Sequence, residues 1–170
     1  GNGQGVQRNF KEAAKWYRLS AEQGYAAAQS NLGVMYDSGQ GVQRNFKEAV
    51  KWYRLSAEQG DAAAQSDLSV MLSKGYGAPR NYKLAFSWCK LSAVQGNARA
   101  QCNLGVKYYE GKGVEKDYVR AHMWLNISAR NGVEGALRLQ QVVAKMMSHT
   151  QIEKAQDWAG ECIKKNYKGF

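Results

Sequence analysis

Histidine and cysteine are the side chains that most often act as bases, nucleophiles or metal ligands near neutral pH, and this chain has few of either. Its histidines are His122 and His149, and its cysteines are Cys89, Cys102 and Cys162. The sequence contains no C-x-x-C, H-E-x-x-H, G-x-S-x-G or Walker-type motif. It therefore predicts no catalytic residue, no metal site and no cofactor, and the chain is not expected to be an enzyme.

Glycine-rich segments also suggest chemistry, because glycine loops can wrap phosphate groups. The segments G-N-G-Q-G and G-Q-G-V-Q-R follow no predicted strand, and similar segments recur every 36 residues. We therefore interpret the glycines as turns that punctuate a repeat. Structural rows in this register are Gly24, Gly60, Gly96 and Gly132; Gly5, Gly41, Gly77 and Gly113; Trp16, Trp52, Trp88 and Trp124; and Ala49, Ala85 and Ala121.

The histidines and cysteines occupy repeat positions that ordinary residues hold in other units. His122 is in register with an alanine, a valine and a phenylalanine, so we expect it to pack in the interior, whereas His149 is expected in solvent. The cysteines are expected to be free thiols. Cys89 and Cys102 lie about equally far on either side of Gly96, so a disulfide between them is the alternative.

Each repeat is predicted to form two helices joined by a glycine-bearing loop. In the unit 61–96, the predicted helices run over 62–73 and 82–94. In the preceding unit, Asn45 is a predicted N-cap with Glu48 in capping-box register, and Gly60 is expected to end the helix with positive φ. The chain is therefore predicted to be all-α.

The first 24 residues correspond to the loop and the second helix of a unit. Asn9 is predicted to cap this helix, with Glu12 in capping-box register and Gly24 after its end. Because the first helix of the unit has no counterpart in the sequence, we expect the natural protein to extend further towards its N-terminus.

The repeat register dissolves after Val133. Thr150 followed by Glu153 predicts the start of a last helix, which carries Ile152, Ala155 and Ala159 on one stripe. Because terminal units of a repeat array need a cover for their apolar face, we interpret this segment as a C-terminal cap.

The repeat resembles the Sel1-like repeat, a relative of the tetratricopeptide repeat. The pattern A-x-x-x-L-G-x-x-Y-x-x-G-x-G-V-x-x-(N/D)-(F/Y)-x-x-A-x-x-W, ending in S-A-x-x-G, is present over 28–60 and again over 100–132. The unit 61–96 departs from it at Ser69 and Leu72. The resemblance implies a right-handed α/α superhelical solenoid, and a bacterial source.

Period and resemblance together predict one continuous solenoid domain with a C-terminal capping helix. Its parts are a half repeat at 1–24, Sel1-like repeats at 25–60, 61–96 and 97–132, and capping helices at 133–170.

The function that the resemblance implies is a non-enzymatic scaffold or adaptor that binds another protein or peptide. First helices of such stacks line a concave surface, so residues there that the motif does not reserve for packing are the candidate contacts. A periplasmic or secreted location, with a role in the bacterial envelope or in host interaction, is favoured over the cytoplasm. The candidate contacts are Ser30, Asn31, Val34, Ser66, Asp67, Val70, Lys74, Arg99, Asn103, Val106 and Tyr109.

Two other functions stay open. Some cysteine-rich relatives suggest an enzyme or binder acting on β-lactam or peptidoglycan ligands, although no nucleophile and base pair is visible. The net charge of +10 suggests polyanion binding, and Arg8, Arg44 and Arg80 recur in one loop register. Since the charge is spread over all units and glutamates accompany it, nucleic acid is not the favoured partner. No apolar stretch is long enough to span a membrane.

Overall fold

The chain was analysed as a computed structural model that describes residues 3–169, with the side chains of residues 9–169. Within this range the regular secondary structure is α-helical, as the repeat pattern predicts. The chain divides into two compact units, residues 1–81 and 82–170, which are described separately. Helices α1 to α4 lie in the first unit and α5 to α9 in the second. The helices are α1 (Gly3–Glu22), α2 (Ala26–Ser38), α3 (Phe46–Glu58), α4 (Ala62–Lys74), α5 (Tyr82–Val94), α6 (Ala98–Glu110), α7 (Tyr118–Arg130), α8 (Glu134–Ala144) and α9 (His149–Lys164).

Sequential helices pack against each other within each unit, which is the arrangement of an α/α solenoid. In the first unit α2 packs on α3, and α3 packs on α4. Gly33 on α2 permits the first of these contacts, because a Cβ at this position would lie 2.6 Å from the Tyr53 ring of α3. In the second unit Gly105 lies against Leu125 in the same way. The repeat glycines on the first helices therefore allow a close approach of the second helices.

The predicted cap at Asn45 is confirmed. Its Oδ1 accepts hydrogen bonds from the backbone N–H groups of Lys47 and Glu48, at 3.0 and 3.2 Å. A full capping box does not form, because the Asn45 N–H donates to the carbonyl of Tyr36 at 2.9 Å. Glu48 instead lies 3.7 Å from the Lys51 ammonium. Asn45 thus ties the loop to the end of α2 as well as starting α3.

The predicted helix ends with positive φ are also confirmed. Gly60 follows α3 with φ of +94°, and the Asp61 N–H donates back to the Ser56 carbonyl at 3.3 Å. Gly132 follows α7 in the same conformation, with φ of +89°. Glycine reaches this region without the steric cost that a Cβ imposes.

Polar side chains tie the helices together in a pattern that the sequence analysis missed. Gln29, Gln65 and Gln101 are buried, and each Nε2 donates to the carbonyl of the residue eight positions earlier, at 3.1 to 3.2 Å. Ser56 and Ser128 donate to carbonyls thirty residues earlier, at 2.8 and 2.7 Å. Both sets are spaced by multiples of 36 residues, so the recurrence of glutamine and serine at these repeat positions could have revealed the pattern in the sequence.

The predicted start of the first helix is wrong. Helix α1 begins at Gly3, so Asn9 lies inside it and is not its N-cap, and Gly5 is helical instead of a loop residue. In the next unit the loop is held by the carbonyls of Met35 and Tyr36, which accept from the N–H groups of Gly39 and Asn45. The positions equivalent to Met35 and Tyr36 lie before residue 1 of the sequence. Continued helical hydrogen bonding satisfies the backbone of α1 in their place.

The predicted start of the last helix is displaced by two residues. Ser148 is the N-cap of α9, and it forms a reciprocal capping box with Gln151 in place of the predicted pair at Thr150 and Glu153. The predicted stripe is confirmed, since Ala155 and Ala159 are fully buried.

Helix α9 packs on α7, where it acts as the predicted cap. Ile127 on α7 is buried, whereas Leu55 and Leu91, in the same repeat register, are 38% and 48% exposed. Met123 is buried as well, although Lys51 in its register faces solvent. Helix α7 therefore has an apolar outer face that α3 lacks, and α9 covers it.

Candidate protein-binding face

The candidate contacts of the first unit lie on α2 and α4. Asn31 and Val34 are exposed on α2, and the exposed fraction of Val34 is 43%. On α4, Asp67 and Val70 are half-buried and Lys74 is exposed, with its Nζ 5.6 Å from the centroid of the Tyr76 ring. Because each set is spaced by three or four residues, it lies on one side of its helix.

The candidate contacts of the second unit lie on α6. Arg99 is exposed, whereas Asn103, Val106 and Tyr109 are half-buried. The Tyr109 ring lies 6.0 Å from the ring of Tyr118, which holds it at the surface. We use the term first-helix face for the accessible candidates of one unit, taken by itself. In the first unit they are Asn31, Val34, Asp67, Val70 and Lys74, and in the second they are Arg99, Asn103, Val106 and Tyr109.

Two of the predicted contacts are not accessible. The exposed fraction of Ser30 is 9%, and that of Ser66 is 0%. Both lie one position before the exposed side of their helices, and a step of about 100° around the helix turns them into the interior. Ser30 and Ser66 are therefore packing residues in this structure.

Two asparagines are among the polar residues of the first-helix faces. Asn31 and Asn103 are in the same repeat register, and neither side-chain amide makes a hydrogen bond to another described residue. A side-chain amide offers two donors and one carbonyl acceptor, which matches the N–H and C=O groups of an extended peptide. This geometry suits recognition of a peptide backbone.

The histidines occupy the environments that the sequence predicts. His149 is exposed, and its Nε2 lies 3.3 Å from the Glu153 carboxylate. His122 is buried, and the Gln140 amide donates to its Nε2 at 3.2 Å. The Nδ1 atom of His122 has no hydrogen-bond partner among the described residues.

The environment of His122 predicts a pH dependence of stability. Burial lowers the pKa of His122 in the folded chain, so the neutral ring is the form that folding favours. As pH falls through about 6.5, the unfolded chain takes up a proton that the folded chain resists, and the free energy of unfolding decreases. We expect the melting temperature of the wild type to fall more steeply between pH 7.5 and 5.0 than that of His122→Phe, which introduces the residue found at position 86. Equal slopes would contradict the burial effect.

The three cysteines are thiols in this structure. Cys89 is fully buried, and its Sγ donates to the carbonyl of Ala100 at 3.3 Å. Burial raises the pKa of Cys102, and it raises the pKa of Cys162 to about 11 despite the nearby Lys165 ammonium. Since a thiolate is the reactive form of cysteine, these thiols are suited to packing and not to nucleophilic chemistry.

A buried lysine on α6 was missed by the sequence analysis. Lys107 occupies the register of Met35 and Met71, which are core residues, and it is itself buried. Burial lowers its pKa. The signal in the sequence was a charged residue in a row of methionines.

Within residues 3–169 no group of three or more His, Cys, Asp or Glu side chains converges on a point that could hold a metal ion. None of the helices in the described range combines the length and the hydropathy that a bilayer-spanning helix needs.

Comparisons with known proteins agree with the repeat architecture. The Sel1 repeat matches four segments, residues 1–25, 26–61, 62–97 and 98–133. No curated protein matches the chain. A solved structure of c5321, a protective antigen present in uropathogenic Escherichia coli strains and displaying an SLR fold, is similar, with 34% identity and a TM-score of 0.87. The match covers 98% of this chain and 36% of that protein.

A Sel1 repeat protein from Oxalobacter formigenes is also similar, with 36% identity and a TM-score of 0.72, over 91% of this chain and 64% of that protein. The chain thus spans about a third and about two thirds of these two proteins. Helix pairs at a 36-residue period, the glycine-capped helix ends and four family matches lead to one conclusion: the chain belongs to the Sel1 repeat family.

Proposed function

We propose that the chain is a non-enzymatic scaffold that binds a partner protein or peptide through the first-helix face. The observation that carries this proposal is a row of valines at one repeat position, Val34, Val70 and Val106, each of which keeps part of its side chain in solvent. Buried residues such as Leu32 pack the helices together, and the valines add accessible apolar surface at one recurring position of the first helices, to which a partner could bind.

The surroundings of the valines support recognition of a peptide. Asn31 lies one turn before Val34, and Asn103 lies one turn before Val106. A partner that inserts apolar side chains against the valines would bring its backbone within reach of these amides. Partner binding combines an apolar contact that gives affinity with a polar rim that gives orientation. The finer proposal is that the partner lies in the bacterial envelope or belongs to a host. The likeness to the Escherichia coli antigen supports it.

A display library of random peptides tests this function for partners of any sequence. Peptides are selected on the immobilised wild-type chain, and each is then measured against Val70→Glu/Val106→Glu. We expect at least a tenfold loss of affinity, about 1.4 kcal/mol, because a carboxylate would be desolvated in place of an apolar contact.

The matched control is Leu55→Glu/Leu91→Glu, which makes the same change from an apolar side chain to a carboxylate at exposed positions of the second helices. Circular dichroism is used to check that both variants keep their helicity. If the selected peptides bind Val70→Glu/Val106→Glu as tightly as they bind the wild type, the first-helix face is not the binding site.

A further inference from the structure

Two open cavities lie side by side in the second unit, and Val106 lines neither of them. Their volumes are about 740 and about 570 Å³. Lys90 of α5 and Arg120 of α7 line both cavities, so they stand at the boundary between them. The other residues that line the first cavity are Val94, Trp158, Lys168 and Gly169, and those that line the second are Phe86, Tyr108, Val114, Glu115, Lys116 and Asp117.

The charge of this double cavity is positive, because four cations face two carboxylates. One of the carboxylates, Asp117, is already engaged by the Arg120 guanidinium at 2.7 Å and by the backbone at the start of α7. Lys90 and Lys168 have no carboxylate partner among residues 3–169. Lys90 and Lys168 are therefore available to an anionic ligand, and Arg120 keeps further N–H donors beside the one that binds Asp117.

The central arginine is held in place by its neighbours. The guanidinium carbon of Arg120 lies 5.6 Å from the centroid of the Trp158 ring and 6.0 Å from that of Tyr108. Lys154 adds a second cation over the Trp158 ring, at 4.7 Å. Since aromatic faces attract cations, these rings orient Arg120 before a ligand arrives.

The C-terminal turn forms one wall of the first cavity. Tyr167 has φ of +64°, its N–H donates to the Cys162 carbonyl at 2.8 Å, and its hydroxyl accepts from the Asn131 amide at 3.3 Å. These two bonds anchor the turn after α9, and they place Lys168 beside the cavity.

Apolar surface flanks the cations on both sides. Val94 and Trp158 lie in the first cavity, and Phe86 and Val114 lie in the second. A ligand that fills both cavities would carry an apolar group at each end and a negative charge between them. This alternation of apolar and charged groups matches an extended polypeptide segment, whose side chains can place an acidic group between two apolar ones.

We propose that this double cavity binds an extended acidic segment of a partner protein, with one or two carboxylates between two apolar side chains. The carboxylates bind Lys90 and Arg120, and the apolar side chains contact Trp158 and Phe86. The other units have no cation at the position of Arg120, because Glu12, Glu48 and Leu84 occupy its register.

The test is an NMR titration of the full chain with the acetylated and amidated peptide Leu-Ser-Glu-Asp-Ser-Phe, in which the indole N–H of Trp158 is assigned with Trp158→Phe. We expect saturable shifts of this signal. The peptide Leu-Ser-Gln-Asn-Ser-Phe should bind at least about tenfold more weakly, because it lacks the charge-assisted hydrogen bonds.

A matched pair of variants separates site binding from general charge attraction. Lys90→Gln/Arg120→Gln should lose at least about tenfold in affinity, whereas Lys83→Gln/Arg130→Gln, which removes two exposed cations from the same helices, should stay within about twofold. Equal binding of the amide peptide, equal losses in both variants, or displacement by equimolar inorganic phosphate would each overturn the proposal.

Discussion

Gly113→Ala is expected to lower the free energy of unfolding by about 3 to 5 kcal/mol. Gly113 has φ of +82°, and a Cβ built on it would lie 2.0 Å from the carbonyl oxygen of Tyr82, at the start of α5. A methyl group cannot share this space with a backbone carbonyl, so the loop before α7 would have to move away from α5. Urea denaturation followed by circular dichroism measures the loss.

The matched control for this substitution is Gly132→Ala. Gly132 has nearly the same φ, +89°, but a Cβ there would meet nothing within 4 Å. It should therefore cost only the backbone strain of a left-handed residue, about 1 to 2 kcal/mol. If the two variants lose the same stability, close contact between the Gly113 loop and α5 does not hold the repeats together.

Met123→Lys is expected to release α9 from α7. This substitution introduces the residue found in register at positions 15 and 51, where the lysines face solvent. On α7 the same position is buried, and an unpaired ammonium there would be desolvated at a cost of several kcal/mol. Detachment of α9 relieves that cost.

Amide hydrogen exchange of α9 measures this release. We expect protection of the amides at 155–163 to fall by about a hundredfold, which corresponds to about 2.7 kcal/mol. Ser87→Lys, which adds the same charge at the equivalent exposed position of α5, should leave the protection of α9 unchanged. Full protection of α9 in Met123→Lys would show that Met123 is not part of the contact with α9.

The 36-residue period and the glycine rows were enough to predict most of the fold. They predict the helix at 82–94, which matches α5, and the positive φ at Gly60. Local patterns were less decisive at the ends of the chain. Ser148 with Gln151 and Thr150 with Glu153 satisfy the same capping rule, so the local sequence alone does not decide between them.

The sequence predicted only part of the candidate site, because local patterns do not decide which side chains reach solvent. Helical spacing places Val70 and Ser66 near each other on α4, but whether each faces solvent depends on the helices packed beside it. Met123 and Ile127 form an apolar pair where the other units have a lysine or Ser87 followed by a leucine, so the docking of α9 was visible in the rows. The proximity of Lys90 and Arg120 could not be predicted from the rows, because the two residues occupy different repeat positions. Only the packing of their helices brings them to one cavity.

An NMR footprint of the tightest peptide selected on the wild-type chain tests the proposed function most directly. The account predicts that the largest amide shifts lie on first helices, around Val34 and Val70 on α2 and α4 or around Val106 on α6. Shifts confined to the second helices α3, α5 and α7, with α2, α4 and α6 unperturbed, would contradict it.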